Sequence, residues 1–213
     1  MDTIPNPKPQ TPNSIIYPVI LAVPDKEQQF TGREKVSFLS KHARKALEIS
    51  AKKSHIKLSD LKKDEKGVPL PFNGHYWSLT HKLKYVAGVV APTPIGIDLE
   101  KIRPCSKALF KKTAHDNEWE LSDTDPFILF YRYWTSKESV LKASGTGIKD
   151  LSKCRIMQII DDNHLVIDYR YQEWLIGHFY FDEHIASVVK NDLDVEWTIY
   201  PQKSSFQRCY DTV

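Results

Sequence analysis

One pattern occurs twice in this chain, and that recurrence constrains the fold more than any composition figure does. Tyr85-Val-Ala-Gly-Val-Val, a polar turn and Ile95-Gly-Ile are echoed by His184-Ile-Ala-Ser-Val-Val, a polar turn and Val195-Glu-Trp. Each copy is an apolar, β-branched run turning into a second extended segment, which reads as paired strands. Each also follows helical material. Thr31 to Lys53 sets Val36, Phe38, Leu39, Ala43, Ala46, Leu47 and Ile49 among many lysines and arginines, the pattern of a long amphipathic helix with a basic outer face. Asp125 to Ser144 carries Phe127, Tyr131, Trp134, Glu138 and Leu141 at three- or four-residue spacing, then stops at Gly145-Thr-Gly147, as a helix C-terminus does. The expected fold is α+β: two similar α/β halves related by pseudo-twofold symmetry, each a small, mainly antiparallel sheet packed with a long helix. The active site is expected in the cleft between them.

The halves are expected over residues 14–103 and 104–200, with a Pro-rich tail over 1–13 and an extension over 201–213. Ile15 to Val23, interrupted by Pro18, reads as a strand near a sheet edge. Lys62 to Gly74 reads as a loop, and strands follow over Tyr76–His81, Tyr85–Ala91 and Ile95–Glu100. In the second half, helices over about Ser106–His115 and Asp125–Ser144 precede strands near residues 153–160, 164–171, 173–181, 184–190 and 195–200.

A chain of 213 residues, 41% hydrophobic and 27% charged, is long enough to bury a real core. Its net charge of +3 is a slight excess that suits an anionic ligand or an acidic protein partner and does not demand nucleic acid. Cys105, Cys154 and Cys209 are odd in number, far apart and without metal-binding spacing, which fits a reducing cytoplasm. No stretch of about 18 apolar residues or signal-like N-terminus is present, so neither a membrane nor secretion is expected.

Chemistry concentrates in two short segments. In Ile95-Gly-Ile-Asp-Leu-Glu, Asp98 and Glu100 stand at i and i+2 of an extended segment and project from one face. In Trp134-Thr-Ser-Lys-Glu-Ser-Val-Leu-Lys, Glu138 puts a charge on the apolar stripe of a helix, and a buried carboxylate needs a partner. Three carboxylates without His or Cys favour Mg²⁺, with Mn²⁺ as a substitute, and Mg²⁺ keeps positions for water and phosphate. Lys137 and Lys142 flank Glu138, and Lys142 shares its helix face at i+4; a modest surface salt bridge is the competing reading of that pair. Upstream, Gly74-His-Tyr-Trp-Ser-Leu-Thr-His-Lys82 adds hydroxyls, two histidines and a cation, from which Thr80 and His81 can donate to a phosphate. Zinc-type HExxH spacing, a GxxxxGK[ST] loop and a GxSxG elbow are all missing from the sequence.

Gly96-Ile-Asp98-Leu-Glu100, followed by Trp134-x-x-Lys137-Glu138-x-x-x-Lys142-x-x-Gly145-x-Gly147, resembles the signature pair of the 4′-phosphopantetheinyl transferases. Ser78-Leu-Thr80-His81 resembles their upstream Ser-His motif, and length and organisation are similar to the monomeric, pseudo-duplicated branch. The resemblance implies transfer of the phosphopantetheine arm from coenzyme A to a serine of an apo acyl or peptidyl carrier protein, releasing adenosine 3′,5′-bisphosphate. It implies Asp98, Glu100 and Glu138 as ligands of Mg²⁺, Glu138 as a group that helps deprotonate the serine, and Lys142 as the cation at the pyrophosphate. Thr80, His81 and Lys137 would contact coenzyme A, and Lys41 and Arg44 would correspond to paired basic residues in the family's first helix. Relatives often show Gly-Lys-Pro where this chain has Gly67-Val68-Pro69, leaving Lys66 to supply that charge. Phe110, where the family meets its carrier, suits either an apolar anchor or core packing. Two alternatives stay open: a coenzyme A or carrier-binding module with reduced activity, and another Mg²⁺-dependent phosphotransferase.

Overall fold

The computed structural model describes residues 15–201. The tail expected over 1–13, Cys209 and all but the first residue of the extension expected over 201–213 lie outside the described residues. The chain opens with β1 (Ile15–Ile16), β2 (Val19–Ala22), a short α1 (Asp25–Gln28) and the long α2 (Gly32–Lys53). It continues through β3 (Tyr76–His81), β4 (Tyr85–Ala91), β5 (Ile97–Lys101), α3 (Lys107–Thr113), α4 (Asp116–Trp119) and α5 (Pro126–Ser144). A 3₁₀ turn over Ile148–Lys153 leads into β6 (Arg155–Asp161), β7 (His164–Tyr169), β8 (Gln172–Phe181), β9 (His184–Val189), β10 (Asp194–Val195) and β11 (Thr198–Tyr200).

These strands form a four-stranded sheet in the order β11-β2-β4-β3, a five-stranded sheet in the order β5-β9-β8-β7-β6, and a β1-β10 pair. The two larger sheets exchange strands. β5 follows β4 in sequence yet pairs antiparallel with β9, Asp98 opposite Ser187, in the second sheet. β11 follows β9 and β10 yet runs parallel to β2 in the first sheet. Sheet membership therefore does not change at residue 103: Ile97–Lys101 already belongs with the second sheet, and Thr198–Tyr200 returns to the first. The segment expected as one edge strand over 15–23 is broken at Pro18, which has no N–H to offer a ladder. Its second part, β2, is an inner strand, because β11 covers the side that would have been the edge.

Each sheet carries one long helix. α2 buries Leu39, Ala43, Ala46 and Leu47 at helical spacing against the first sheet. α5 is bounded as its sequence dictates. The Asp125 side chain accepts from the N–H groups of Phe127 and Ile128, Pro126 occupies the first turn, and Gly145 closes the helix in the left-handed region at φ 68°. The helix lies across β5 and β9, and Gly96 sets how closely. A Cβ there would sit 1.8 Å from the Ser139 carbonyl oxygen, so strand and helix backbones meet where only glycine fits. Ile97, Leu99 and Leu141 are fully buried in the same core cluster, each worth roughly 1.5–3 kcal/mol relative to exposure. The result is that Asp98, two residues beyond Gly96, is held beside the helix that carries Glu138 and Lys142.

Candidate active site

The site is built where β3 of the first sheet meets β5 of the second. Side chains alternate along a strand, so Trp77 and Leu79 go to the α2 side while Ser78, Thr80 and Lys82 share the other. Those three meet β5 in order. The Ile97 N–H donates to the Ser78 hydroxyl (3.2 Å), the Thr80 hydroxyl donates to Asp98 Oδ1 (2.8 Å), and Lys82 Nζ donates to Glu100 Oε1 (2.5 Å). From α5, Lys142 Nζ donates to the same Asp98 Oδ1 (2.7 Å) and to the Ile97 carbonyl (2.9 Å). Lys142 thus pairs with the strand carboxylate, and the i,i+4 contact to Glu138 is not made as an ion pair. Asp98 is buried, and its second oxygen, Oδ2, has no hydrogen-bond partner.

Glu138 faces an open cleft of about 260 Å³, lined by Lys63, Lys66, Gly67, Val68, Pro69, Ser78, Leu79, Leu141, Lys142, Gly145 and Gly147. One wall is the loop before β3, the other the last turn of α5. They touch where the Val68 side chain lies against Gly145, a Cβ on which would come within 3.0 Å of it. Burial pushes the Glu138 carboxyl above its ordinary range and Asp98 adds to this, against the pull of Lys142 and Lys82. Burial works to lower the Lys82 pKa, and Asp98, Glu100 and Glu138 outweigh it, so the ammonium is held above the usual lysine value. Burial also pushes the Glu100 carboxyl up, against the pull of the Lys82 ammonium 2.5 Å away. His81 is half-buried on the opposite face from Thr80, its pKa lowered by burial and then by Lys142 and Lys82.

Of the residues singled out in the sequence, the structure brings together Asp98, Glu100, Glu138, Lys142 and Thr80, with Lys66 on the cleft wall. Thr80 supports Asp98 with its hydroxyl instead of leaving it open to a ligand. Lys137 is not brought to this group. It is fully buried on another side of α5, where its ammonium donates to Glu118 Oε1 (2.8 Å) and the Thr113 carbonyl (2.7 Å). One residue along a helix is about 100° around its axis, which separates Lys137 from Glu138. Lys41 is exposed and Arg44 half-buried on α2, and neither lines the cleft. Phe110 packs its ring against Trp119, Phe127 and Phe130, joining α3 to α5. Sequence reasoning assigned no role to Lys82, Lys63 or Ser78. The signal for two of them was available, since Ser78, Thr80 and Lys82 repeat the i, i+2 spacing of Asp98 and Glu100.

Among the described residues no three His, Cys, Asp or Glu side chains close around one point as a metal cage. The donors present are all carboxylate oxygens, and Asp98 Oδ2 is a buried acceptor without a donor. That combination fits a hard cation held by one or two carboxylates, with water and phosphate oxygens completing its shell.

Residues 94–197, which contain every acidic group of the site, match the 4′-phosphopantetheinyl transferase superfamily. Curated relatives agree. The chain is 38% identical over 91 residues to 4′-phosphopantetheinyl transferase HetI of Nostoc sp., covering 39% of this chain and 38% of the relative. It is 30% identical over 100 residues to 4′-phosphopantetheinyl transferase Sfp of Bacillus subtilis, covering 45% and 44%. It is 28% identical over 91 residues to 4′-phosphopantetheinyl transferase gsp of Aneurinibacillus migulanus, covering 41% and 38%. The chain thus spans about two fifths of the length of the curated relatives it matches. No helix among the described residues is long and apolar enough to cross a membrane.

Proposed function

We propose that this chain transfers the 4′-phosphopantetheine group of coenzyme A to a serine hydroxyl of an apo acyl or peptidyl carrier protein, releasing adenosine 3′,5′-bisphosphate. The observation that carries the reading is Asp98, paired with Lys142 through one oxygen and with the other buried and unpartnered, beside a cleft lined by Lys63, Lys66, Lys142 and Glu138. The carboxylates of the site, Asp98 and Glu138 with the Lys82-paired Glu100 beside them, would hold Mg²⁺, or Mn²⁺ in its place, which when bound neutralises charge on the pyrophosphate.

The chain's own residues account for the rest. Lys63, Lys66 and Lys142 present ammonium groups to a polyanionic ligand, and Gly147, with nothing within 4 Å of where a Cβ would sit, leaves room for it to approach the backbone. The serine oxygen forms a bond to the pantetheine-side phosphorus as the bond from that phosphorus to the bridging oxygen breaks. The serine proton passes to the Glu138 carboxylate, and Lys142 neutralises the departing phosphate. A serine hydroxyl is a poor nucleophile toward an anionic phosphorus, so the rate depends on charge neutralisation and on holding the groups in line. Thr80 and the Ile97 carbonyl orient Asp98 and Lys142, and His81 lies among the same cations.

Both walls of the cleft come from one chain, which supports action as a monomer, and the free thiols of Cys105 and Cys154 support a reducing, cytoplasmic setting. The echo of β4 in β9, together with the reciprocal strand exchange, supports two halves related by a pseudo-twofold axis and derived from one duplicated unit. The test is direct: incubate the protein with coenzyme A, Mg²⁺ and several apo carrier proteins, and read the carrier by mass spectrometry. A gain of one phosphopantetheine on serine is expected. No gain on any carrier, with coenzyme A still bound tightly, would leave a binding module.

A further inference from the structure

The three carboxylates of the site are not equivalent, and the difference comes from a lysine. Asp98 shares one oxygen between Thr80 and Lys142, and its other oxygen is buried without a partner. Glu138 faces the cleft and, among the described residues, makes no ion pair. Glu100 is paired with the Lys82 ammonium at 2.5 Å, which among the described residues has no other acceptor, whereas Lys142 divides its donation between Asp98 and the Ile97 carbonyl. That pairing is built into the strands: Lys82 follows β3 on the face of Ser78 and Thr80, opposite Glu100 as Thr80 is opposite Asp98. The pair is partly shielded, with 36% of the lysine and 19% of the glutamate side chain exposed. A lysine ammonium is a compact point charge, and one so placed repels a second cation approaching the same carboxylate.

We propose that Lys82 is a built-in counter-ion that withholds Glu100 from the divalent cation, so that Asp98 and Glu138 alone serve as metal ligands. The site then binds metal weakly by itself and reaches full affinity when phosphate oxygens of the substrate complete the shell. The presence of a metal here rests on the function proposed above; the role of Lys82 is a property of this chain's own residues.

The experiment titrates the full chain with Mn²⁺ alone, without coenzyme A or carrier, and counts free Mn²⁺ by electron paramagnetic resonance. Lys82→Met releases Glu100 and is expected to tighten the Mn²⁺ dissociation constant roughly fivefold or more. In a Glu100→Gln background the same Lys82→Met change is expected to shift it less than about twofold, because no withheld carboxylate remains. Lys82→Gln, which keeps a polar tip, carries the same expectation as Lys82→Met, and circular dichroism confirms that each variant is folded. No tightening in either Lys82 variant would overturn the proposal. Equal tightening with Glu100 intact and with Glu100→Gln in place would overturn it too, since Lys82 would then act only through its long-range charge. Because no turnover is read, failure here is distinct from failure to modify a carrier.

Discussion

Replacing Lys137 by methionine tests what the lysine beside Glu138 is for. Its ammonium is fully buried and sits 2.8 Å from Glu118 Oε1, itself 1% exposed, and 2.7 Å from the Thr113 carbonyl. Glu118 also accepts from the N–H groups of Ile156 and His115, with Arg155 Nε 3.5 Å away. The network ties α3 and α4 to α5 and β6. Removing one partner of a buried ion pair typically costs about 3–5 kcal/mol, because the other charge is stranded. Here the two amides and Arg155 still serve Glu118, which puts Lys137→Met near the lower end, about 3 kcal/mol. That is a large share of a stability of roughly 5–15 kcal/mol. Adding Glu118→Gln keeps an acceptor for one of the two amides and removes the stranded charge, so the double variant should recover about 1 kcal/mol relative to Lys137→Met. Urea unfolding followed by circular dichroism measures both. Burial works against the Glu118 charge, but the His115 N–H, Lys137 and the Ile156 N–H outweigh it and hold the carboxyl below its usual range. Its folded pKa being depressed, its contribution is full above the unfolded value of about 4.3 and is lost as pH falls through the folded pKa. The double variant should therefore lose stability less steeply than wild type below about pH 4. A Lys137→Met protein within about 1 kcal/mol of wild type, or one whose only defect is a raised KM for coenzyme A, would refute this account and return Lys137 to the substrate.

Gly96→Ala places a methyl group 1.8 Å from the Ser139 carbonyl oxygen, and both sides of that contact are backbone, so β5 must shift away from α5 by about 1 Å. We expect a loss of about 3 kcal/mol and of most transferase activity, since Asp98 moves with the strand; native stability and turnover would contradict the close approach. Asp64 Oδ1 accepts from the N–H groups of Lys66 and Val68, and the Asp64 carbonyl accepts from Gly67 N–H, so this one residue shapes the loop wall of the cleft. Asp64→Ala should raise the KM for coenzyme A roughly fivefold with kcat little changed, and Asp64→Asn, which keeps the acceptor, should restore it; steady-state kinetics decide, and an unchanged KM in the alanine variant would count against the loop's role.

Elements were more legible in the sequence than their partners were. The bounds of α5 follow from Asp125, Pro126 and Gly145, each of which has a local reason to start or stop a helix. The strand segments follow from β-branched runs and turns. Where those strands go does not. β4 and β5 read as consecutive strands of one hairpin, yet Ile97 and Leu99 are buried in a way that suits either sheet, and only the close packing at Gly96 commits β5 to α5 and β9. The same limit governed the site. Asp98, Glu138 and Lys142 stood out because charges interrupt apolar patterns, which is a one-dimensional signal. Lys137 carried the same signal and goes elsewhere, because its partner Glu118 lies 19 residues upstream on a separate helix turn. Lys82 was visible as a charge and silent as to role until β3 and β5 were set side by side.

The most direct test of the central claim compares wild type with Glu138→Gln in one assay: conversion of an apo carrier to its phosphopantetheinylated form with coenzyme A and Mg²⁺, at equal concentrations of folded protein. Glutamine keeps the shape of Glu138 and removes its charge and its capacity to take a proton, so wild type is predicted to modify the carrier and the variant to lose at least about 100-fold in rate. Near-equal rates would mean that Glu138 neither holds the cation nor takes the proton, and the site described here would not be the one that carries out the transfer.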